Sequence, residues 1–216
     1  MQAKYIDFHT HKPSESDVLS IMNLRIWENP IKTLFSCGLH PVDIVEISLD
    51  KAFEMLREIV NSPHCVALGE AGIDKRISAS VELQQKVFEQ QLMLADEANL
   101  PVIIHNVRSL TEILNSLKKT GFSNPFIFHG FTGKAETARQ ILKAGGYLSF
   151  GKSILNHQAT RETFANVAAD RFFLETDEAD CSIYEIYSEA ASLRKINLNE
   201  LRGIVFENFV GAVTRY

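Results

Sequence analysis

Short apolar runs recur along the chain, each stopped by a polar or charged residue, and between them lie longer stretches in which apolar positions return every three or four residues. The first pattern predicts buried strands and the second amphipathic helices. Strands are expected at 4–9, 18–24, 33–39, 65–70, 101–105, 126–129, 146–150 and 172–176, and helices at 48–60, 80–98, 109–119, 133–144, 158–168 and 182–194. Strands alternating with helices imply a parallel sheet joined by crossover helices, and eight strands suit an α/β, TIM-like (β/α)8 barrel. Only 26 residues separate His11 from Gly38. That is too few for two complete strand-helix units, so one early helix is expected to be missing and the first βα unit shortened. Ser109 with Glu112 has the form of a capping box, Gly121 marks a helix stop, and LNELRGIVFENFVGAVTRY suggests two short closing helices.

The length of 216 residues suits one domain with a sizeable core, expected to span 1–216. Apolar residues at 45% and charged residues at 23% indicate an ordinary globular chain. The 22 Lys and Arg against 27 Asp and Glu leave a net charge of −5, so no global positive field draws in nucleic acid. Any polyanion would have to be held locally. Cys37, Cys65 and Cys181 form no CxxC pair, which fits a reducing compartment. With no signal-like opening and no membrane-length apolar run, a cytoplasmic protein without a membrane partner is expected.

The candidate chemistry sits where the apolar runs end: His9 and His11 in YIDFHTH, Glu70 in VALGEAG, His105 in PVIIHN, His129 in FIFHG and Asp177 in FFLETDE. Strand side chains alternate faces, so His9 and His11 share one. Each residue alone has an ordinary structural explanation: the histidines as donors to backbone carbonyls, Glu70 as a turn residue, Asp177 as a helix cap. Together they are a nitrogen and oxygen set delivered to one face, since all strand ends of a parallel barrel open on the same side. Such a set suits zinc, manganese, magnesium, iron or nickel better than calcium. Six ligands favour two divalent ions over one, with Glu70, from the middle of the strand order, the best candidate to bridge them. Paired ions of this kind activate water for hydrolysis.

The motifs DFHTH at 7–11, GLHP at 38–41, GEAGID at 69–74, LPVIIHNVR at 100–108, HGFTG at 129–133 and LETD at 174–177 occur in an order that resembles the TatD family of metal-dependent deoxyribonucleases, in the amidohydrolase superfamily. The resemblance implies a (β/α)8-like barrel in which His9, His11, Glu70 and Asp177 hold one ion and Glu70, His105 and His129 the second. It makes Asp177 and Glu70 the catalytic carboxylates, with Asp177 orienting or deprotonating the attacking water. His40 and Asp74 would lie close by, touching substrate or bracing the ligands.

The chain also departs from the family pattern. The usual proline after ETD is absent, and Glu178 and Asp180 add negative charge there. Lys12, Arg25, Arg108, Lys134 and Lys152 are the candidate phosphate partners, with Arg108 and Lys152 the best placed. Trp27, Phe131, Tyr147 and Phe150 could stack on bases, although core packing is the more ordinary role. The expected activity is phosphodiester hydrolysis of DNA, by the resemblance 3′ to 5′ on single strands. The alternatives are hydrolysis of a small ester, lactone or amide at the same centre, or a non-catalytic metal-binding protein.

Overall fold

The computed structural model describes residues 4–13, 15–45 and 48–215. Eight strands, β1 (Tyr5–Thr10), β2 (Val18–Arg25), β3 (Phe35–Gly38), β4 (Cys65–Asp74), β5 (Val102–Val107), β6 (Phe126–Phe128), β7 (Tyr147–Phe150) and β8 (Phe172–Leu174), form one sheet in chain order. The pairs β1 with β2, β3 with β4, β4 with β5 and β7 with β8 are parallel. The helices are α1 (Leu49–Ile59), α2 (Val81–Glu97), α3 (Leu110–Thr120), α4 (Ala135–Lys143), α5 (Ser153–Asn156), α6 (Gln158–Asn166), α7 (Ile183–Arg194) and α8 (Leu198–Ala212). All eight predicted strands and all six bounded helices are present within a few residues of their expected ends.

Three expectations are corrected. Among the described residues no helix separates β1 from β2 or β2 from β3, so both early connections lack one, not the first alone. The C-terminal stretch forms one helix, α8, because its apolar positions run unbroken onto a single buried face of Leu201, Val205, Phe209 and Ala212. Ser109 and Glu112 do not form a capping box: the Ser109 hydroxyl donates to the Ile73 carbonyl at 2.6 Å, and Glu112 pairs with Lys75 at 2.6 Å. Drawn toward the end of β4, that hydroxyl accepts no amide of its own helix. The true capping box is at α7, where Ser182 N donates to Glu185 Oε2 at 2.8 Å and Glu185 N to Ser182 Oγ at 3.2 Å. Gly121 ends α3 in the left-handed conformation, as expected.

The chain divides into two compact units, one built from the chain up to Met22 with Phe128–Ala212, the other from Asn23–Ile127 with the residues from Val213 onward. In the first, Phe8 stacks on Phe173 with ring centroids 3.9 Å apart, and Phe150, Phe164 and Phe172 pack edge to face. Arg194 lies over Phe164 and Phe172 and donates to the carbonyls of Phe164 and Val167. In the second, β4 is buried along its whole length, the mark of a parallel strand covered on both faces. Phe88 and Leu92 of α2 are buried in that unit's core. No helix among the described residues is long and apolar enough to cross a membrane.

Candidate metal centre

In the first unit, β1 brings His9 and His11 to its C-terminal end. The segment after β8 meets it by backbone pairing: Asp177 N donates to the His9 carbonyl at 2.9 Å and His11 N to the Asp177 carbonyl at 3.3 Å. Asp177 turns with φ 54°, which its short polar side chain tolerates better than most. Its Oδ1 lies 3.7 Å from His9 Nε2 and 3.6 Å from His11 Nε2. These separations are too long for hydrogen bonds. They suit ligands of one ion, since atoms about 2.0–2.1 Å from a tetrahedral centre lie roughly 3.4 Å apart. The donor set therefore fits a divalent ion.

Beneath these ligands, Asp7 and Thr176 tie the two strand ends together. Thr176 N donates to Asp7 Oδ1 at 2.9 Å, and the Thr176 hydroxyl lies 2.6 Å from Asp7 Oδ2 and 3.0 Å from Thr10 Oγ1. The two hydroxyls bring two protons to these two contacts. Thr176 donates to the Asp7 carboxylate and the Thr10 hydroxyl can donate to Thr176, which completes the chain. Burial pushes the Asp7 carboxyl up to about 7, against the opposing hydrogen bonds from Thr176.

His129 belongs to this unit, its ring 4.5 Å from that of His9. Its Nδ1 is 3.7 Å from Oε1 of fully buried Glu175, which accepts the Gly130 N–H at 2.5 Å. Burial alone would raise Glu175, yet the imidazoles of His129 and His9 hold it below the usual carboxylate range. Sequence reasoning passed over Glu175, although it sits two residues from Asp177 at the end of the same run.

In the second unit, His40, Glu70 and His105 converge. His105 Nδ1 is 2.5 Å from Glu70 Oε1, and His40 Nε2 is 3.3 Å from His105 Nδ1 and 3.6 Å from Glu70 Oε1. The Val42 N–H donates to His40 Nδ1 at 3.1 Å. Neutral His40 must then carry its proton on Nε2, which makes it a hydrogen-bond donor toward the cluster and not a ligand. Asp74 Oδ2 lies 3.3 Å from His105 Nε2. Burial opposes ionisation of Asp74, but Arg76 holds its carboxyl down at about 2.

The supports of this cluster were not read from the sequence. Gln91 spans Leu39, accepting its N–H at 2.7 Å and donating to its carbonyl at 3.1 Å; Gln84 does the same for Asp74, at 2.7 and 3.0 Å. The two glutamines are seven residues apart on α2 and share a face, so one helix grips the ends of β3 and β4. Asn23 Oδ1 accepts from Glu70 N at 3.1 Å and Ser36 Oγ at 3.2 Å. The signal was present as polar residues at buried positions of an amphipathic helix, but only the structure shows what they hold. Gly72 has a separate reason: a Cβ there would lie 1.9 Å from the His105 carbonyl oxygen, so β4 and β5 approach closely only with glycine.

Of the candidate phosphate partners, Arg108, Lys134 and Lys152 are exposed. Arg25 pairs with Asp43, and Lys12 donates to the Ala179 carbonyl at 3.0 Å. Phe131 and Phe150 are buried against each other, and Tyr147 packs on Phe173. Trp27 is 55% exposed.

The TatD-related DNase family description matches residues 10–213. YabD of Bacillus subtilis, named an uncharacterized metal-dependent hydrolase, is 31% identical over 188 residues, covering 79% of this chain and 73% of that protein. A Haemophilus influenzae protein of the same description is 29% identical over 190 residues, covering 79% and 72%. Among solved structures, YjjV, a TatD homologue from Escherichia coli, superposes with a TM-score of 0.85 at 23% identity over 99% of each chain. A TatD family hydrolase from Entamoeba histolytica gives 0.83 at 16% identity over the whole of both. These likenesses of fold agree with the TIM-like (β/α)8 class expected from the strand pattern.

Proposed function

The chain belongs to the TatD-related DNase family and is a metal-dependent hydrolase, and from that premise we propose that it cleaves phosphodiester bonds of DNA, single strands from the 3′ end. Divalent ions held by His9, His11 and Asp177 in one unit, and by Glu70 and His105 in the other, would supply Lewis acidity, polarising a phosphoryl group and making water a better nucleophile. Asp177 is the residue fitted to take the proton of the attacking water, since its carboxylate is 39% exposed where His9 is sealed. Arg108 and Lys152, both exposed, are the cations that would hold phosphates.

The observation that carries this reading is His40. With Nδ1 occupied by the Val42 amide, its Nε2–H is a donor, held 3.3 Å from His105 Nδ1, and an oxygen of a bound phosphodiester would offer it a further acceptor. The test is hydrolysis of end-labelled single-stranded DNA with magnesium, manganese or zinc, using Asp177→Asn as the control for contaminating nuclease. Metal-dependent cleavage that disappears in the control supports the assignment. No cleavage by metal-loaded protein refutes it.

Exposed Glu178 and Asp180 favour a second reading, hydrolysis of a small uncharged ester, lactone or amide, because they would repel a polyanion. Salt separates the two. Affinity for DNA should fall steeply with ionic strength if several phosphates are held, whereas a neutral substrate should be nearly indifferent.

A further inference from the structure

We propose that Arg76, pinned by Asp74, binds the substrate strand, holding the phosphate next to the one being cleaved. The inference rests on the phosphodiester reading above and adds a residue that fixes where the strand lies.

Asp74 ends β4 and is buried. Its Oδ1 accepts from Arg76 N at 2.8 Å and Arg76 Nε at 3.2 Å, and its Oδ2 from Arg76 Nη2 at 2.9 Å. The side-chain contacts occupy one edge of the guanidinium fork and leave Nη1, with the second Nη2 proton, on the other. That other edge belongs to a side chain that is 62% exposed. Asp74 offsets the arginine's charge at long range. What remains is a set of N–H donors held in a fixed direction, the geometry that matches a phosphate. Because the anchor already restricts this long side chain, taking a second anion costs little further ordering.

The Asp74 carboxylate stands between this fork and the His105 ring, with Oδ2 2.9 Å from Arg76 Nη2 and 3.3 Å from His105 Nε2. Arg76 is therefore kept off a phosphate held at Glu70 and His105 and is placed for its neighbour along the strand. The next strand end adds Arg108, exposed and turned with φ 56°, and the two loops are joined where Lys75 N donates to the Val107 carbonyl at 3.2 Å. Lys75 itself pairs with Glu112 at 2.6 Å, and Arg76 and Arg108 are the guanidinium groups that these two strand ends present. The Asp74 backbone is held separately, with Gln84 taking its N–H and donating to its carbonyl, so exchanging the Arg76 side chain should leave the strand end in place.

The test is a charge scan of the strand. The parent protein carries Asp177→Asn so that the DNA stays whole, and magnesium is present throughout. Binding of a short 5′-fluorescein oligothymidine is followed by anisotropy as each linkage in turn is replaced by an uncharged methylphosphonate. At the linkage that Arg76 holds, the replacement should weaken the parent roughly 10-fold, and Arg76→Gln, which already lacks the contact, by less than about 2-fold. Arg57→Gln, which removes an exposed cation from the last turn of α1, should reproduce the parent at every linkage. Should Arg76→Gln fail to fold through the carboxylate it strips of partners, Asp74→Asn/Arg76→Gln removes both charges and is scanned in its place. Losses that match between parent and variant at every linkage overturn the proposal, because an arginine that only braces Asp74 would weaken all the strands alike. A parent that binds no single-stranded DNA at all refutes the phosphodiester reading itself.

Discussion

In the unit that carries His9, His11 and Asp177, the ligands are fixed by strand backbone, with Asp177 and β1 exchanging amides directly and Asp7 and Thr176 tying the same ends one layer below. In the unit that carries His40, Glu70 and His105, they are fixed by side chains from elsewhere: two glutamines of α2, Asn23 of β2, and Asp74 with Arg76. The first is a property of two strand ends and their immediate neighbours. The second depends on a helix whose register must be right. Damage to a single amide should therefore hurt the second cluster more, while the first should be sensitive to the charge state of buried Asp7.

The largest effect is expected where β4 passes β5. Gly72→Ala puts a methyl 1.9 Å from the His105 carbonyl oxygen and should cost at least about 4 kcal/mol or abolish folding, seen as a collapse of the urea midpoint. Gly130→Ala, in the first unit, meets nothing closer than 3.9 Å and strains only its φ of 56°, so about 1–2 kcal/mol is expected. Equal losses would erase the contrast.

Gln91→Ala strips partners from both the N–H and the carbonyl of Leu39 and should cost about 3 kcal/mol by urea denaturation. Zinc binding should weaken with it, because His40 follows Leu39 directly.

The first cluster is tested by pH. Burial pushes the Asp7 carboxyl up to about 7 in the fold, from 3.8 for the unperturbed group. The fold thus binds that proton more tightly, and the stability it contributes is complete below the lower value and lost as pH rises through the higher one. Metal-free wild type should lose roughly 2 kcal/mol relative to Asp7→Asn between about pH 5 and about pH 8, read from paired urea midpoints. A constant difference would mean that Asp7 is ionised throughout.

The smallest effects separate the real cap from the apparent one. Ser182→Ala should cost about 1 kcal/mol in thermal or urea unfolding. Glu112→Ala should stay within about 0.5 kcal/mol, since it removes only a surface pair with Lys75.

These contrasts also explain what could be read in advance. The ligands of the first cluster were legible because each ends an apolar run, and strand alternation alone puts His9 and His11 on one side. Glu70 and His105 were legible for the same reason. The Ser109 cap was misread because its form is local while its outcome was set by the Ile73 carbonyl, a residue 36 positions away. The closing stretch forms one helix and not the two expected, and α8 runs through Gly203 and Gly211, where an added Cβ would meet nothing within 4 Å outside the helix's own backbone.

What the sequence determined by itself was the succession of strands and helices and the residues placed at the strand ends, because hydrophobic periodicity and strand alternation act over a few neighbours. What only the tertiary structure decided was the chemical state of those residues. His40 became a donor because the Val42 amide occupies its other nitrogen, and burial pushes the Asp7 carboxyl up against the hydrogen bonds that Thr176 donates to it. Gln84 and Gln91 became braces because their side chains meet strand backbone that the helix pattern does not specify. Tautomers, proton counts and hydrogen-bond partners depend on which groups arrive from distant parts of the chain, and burial makes each choice costly to reverse.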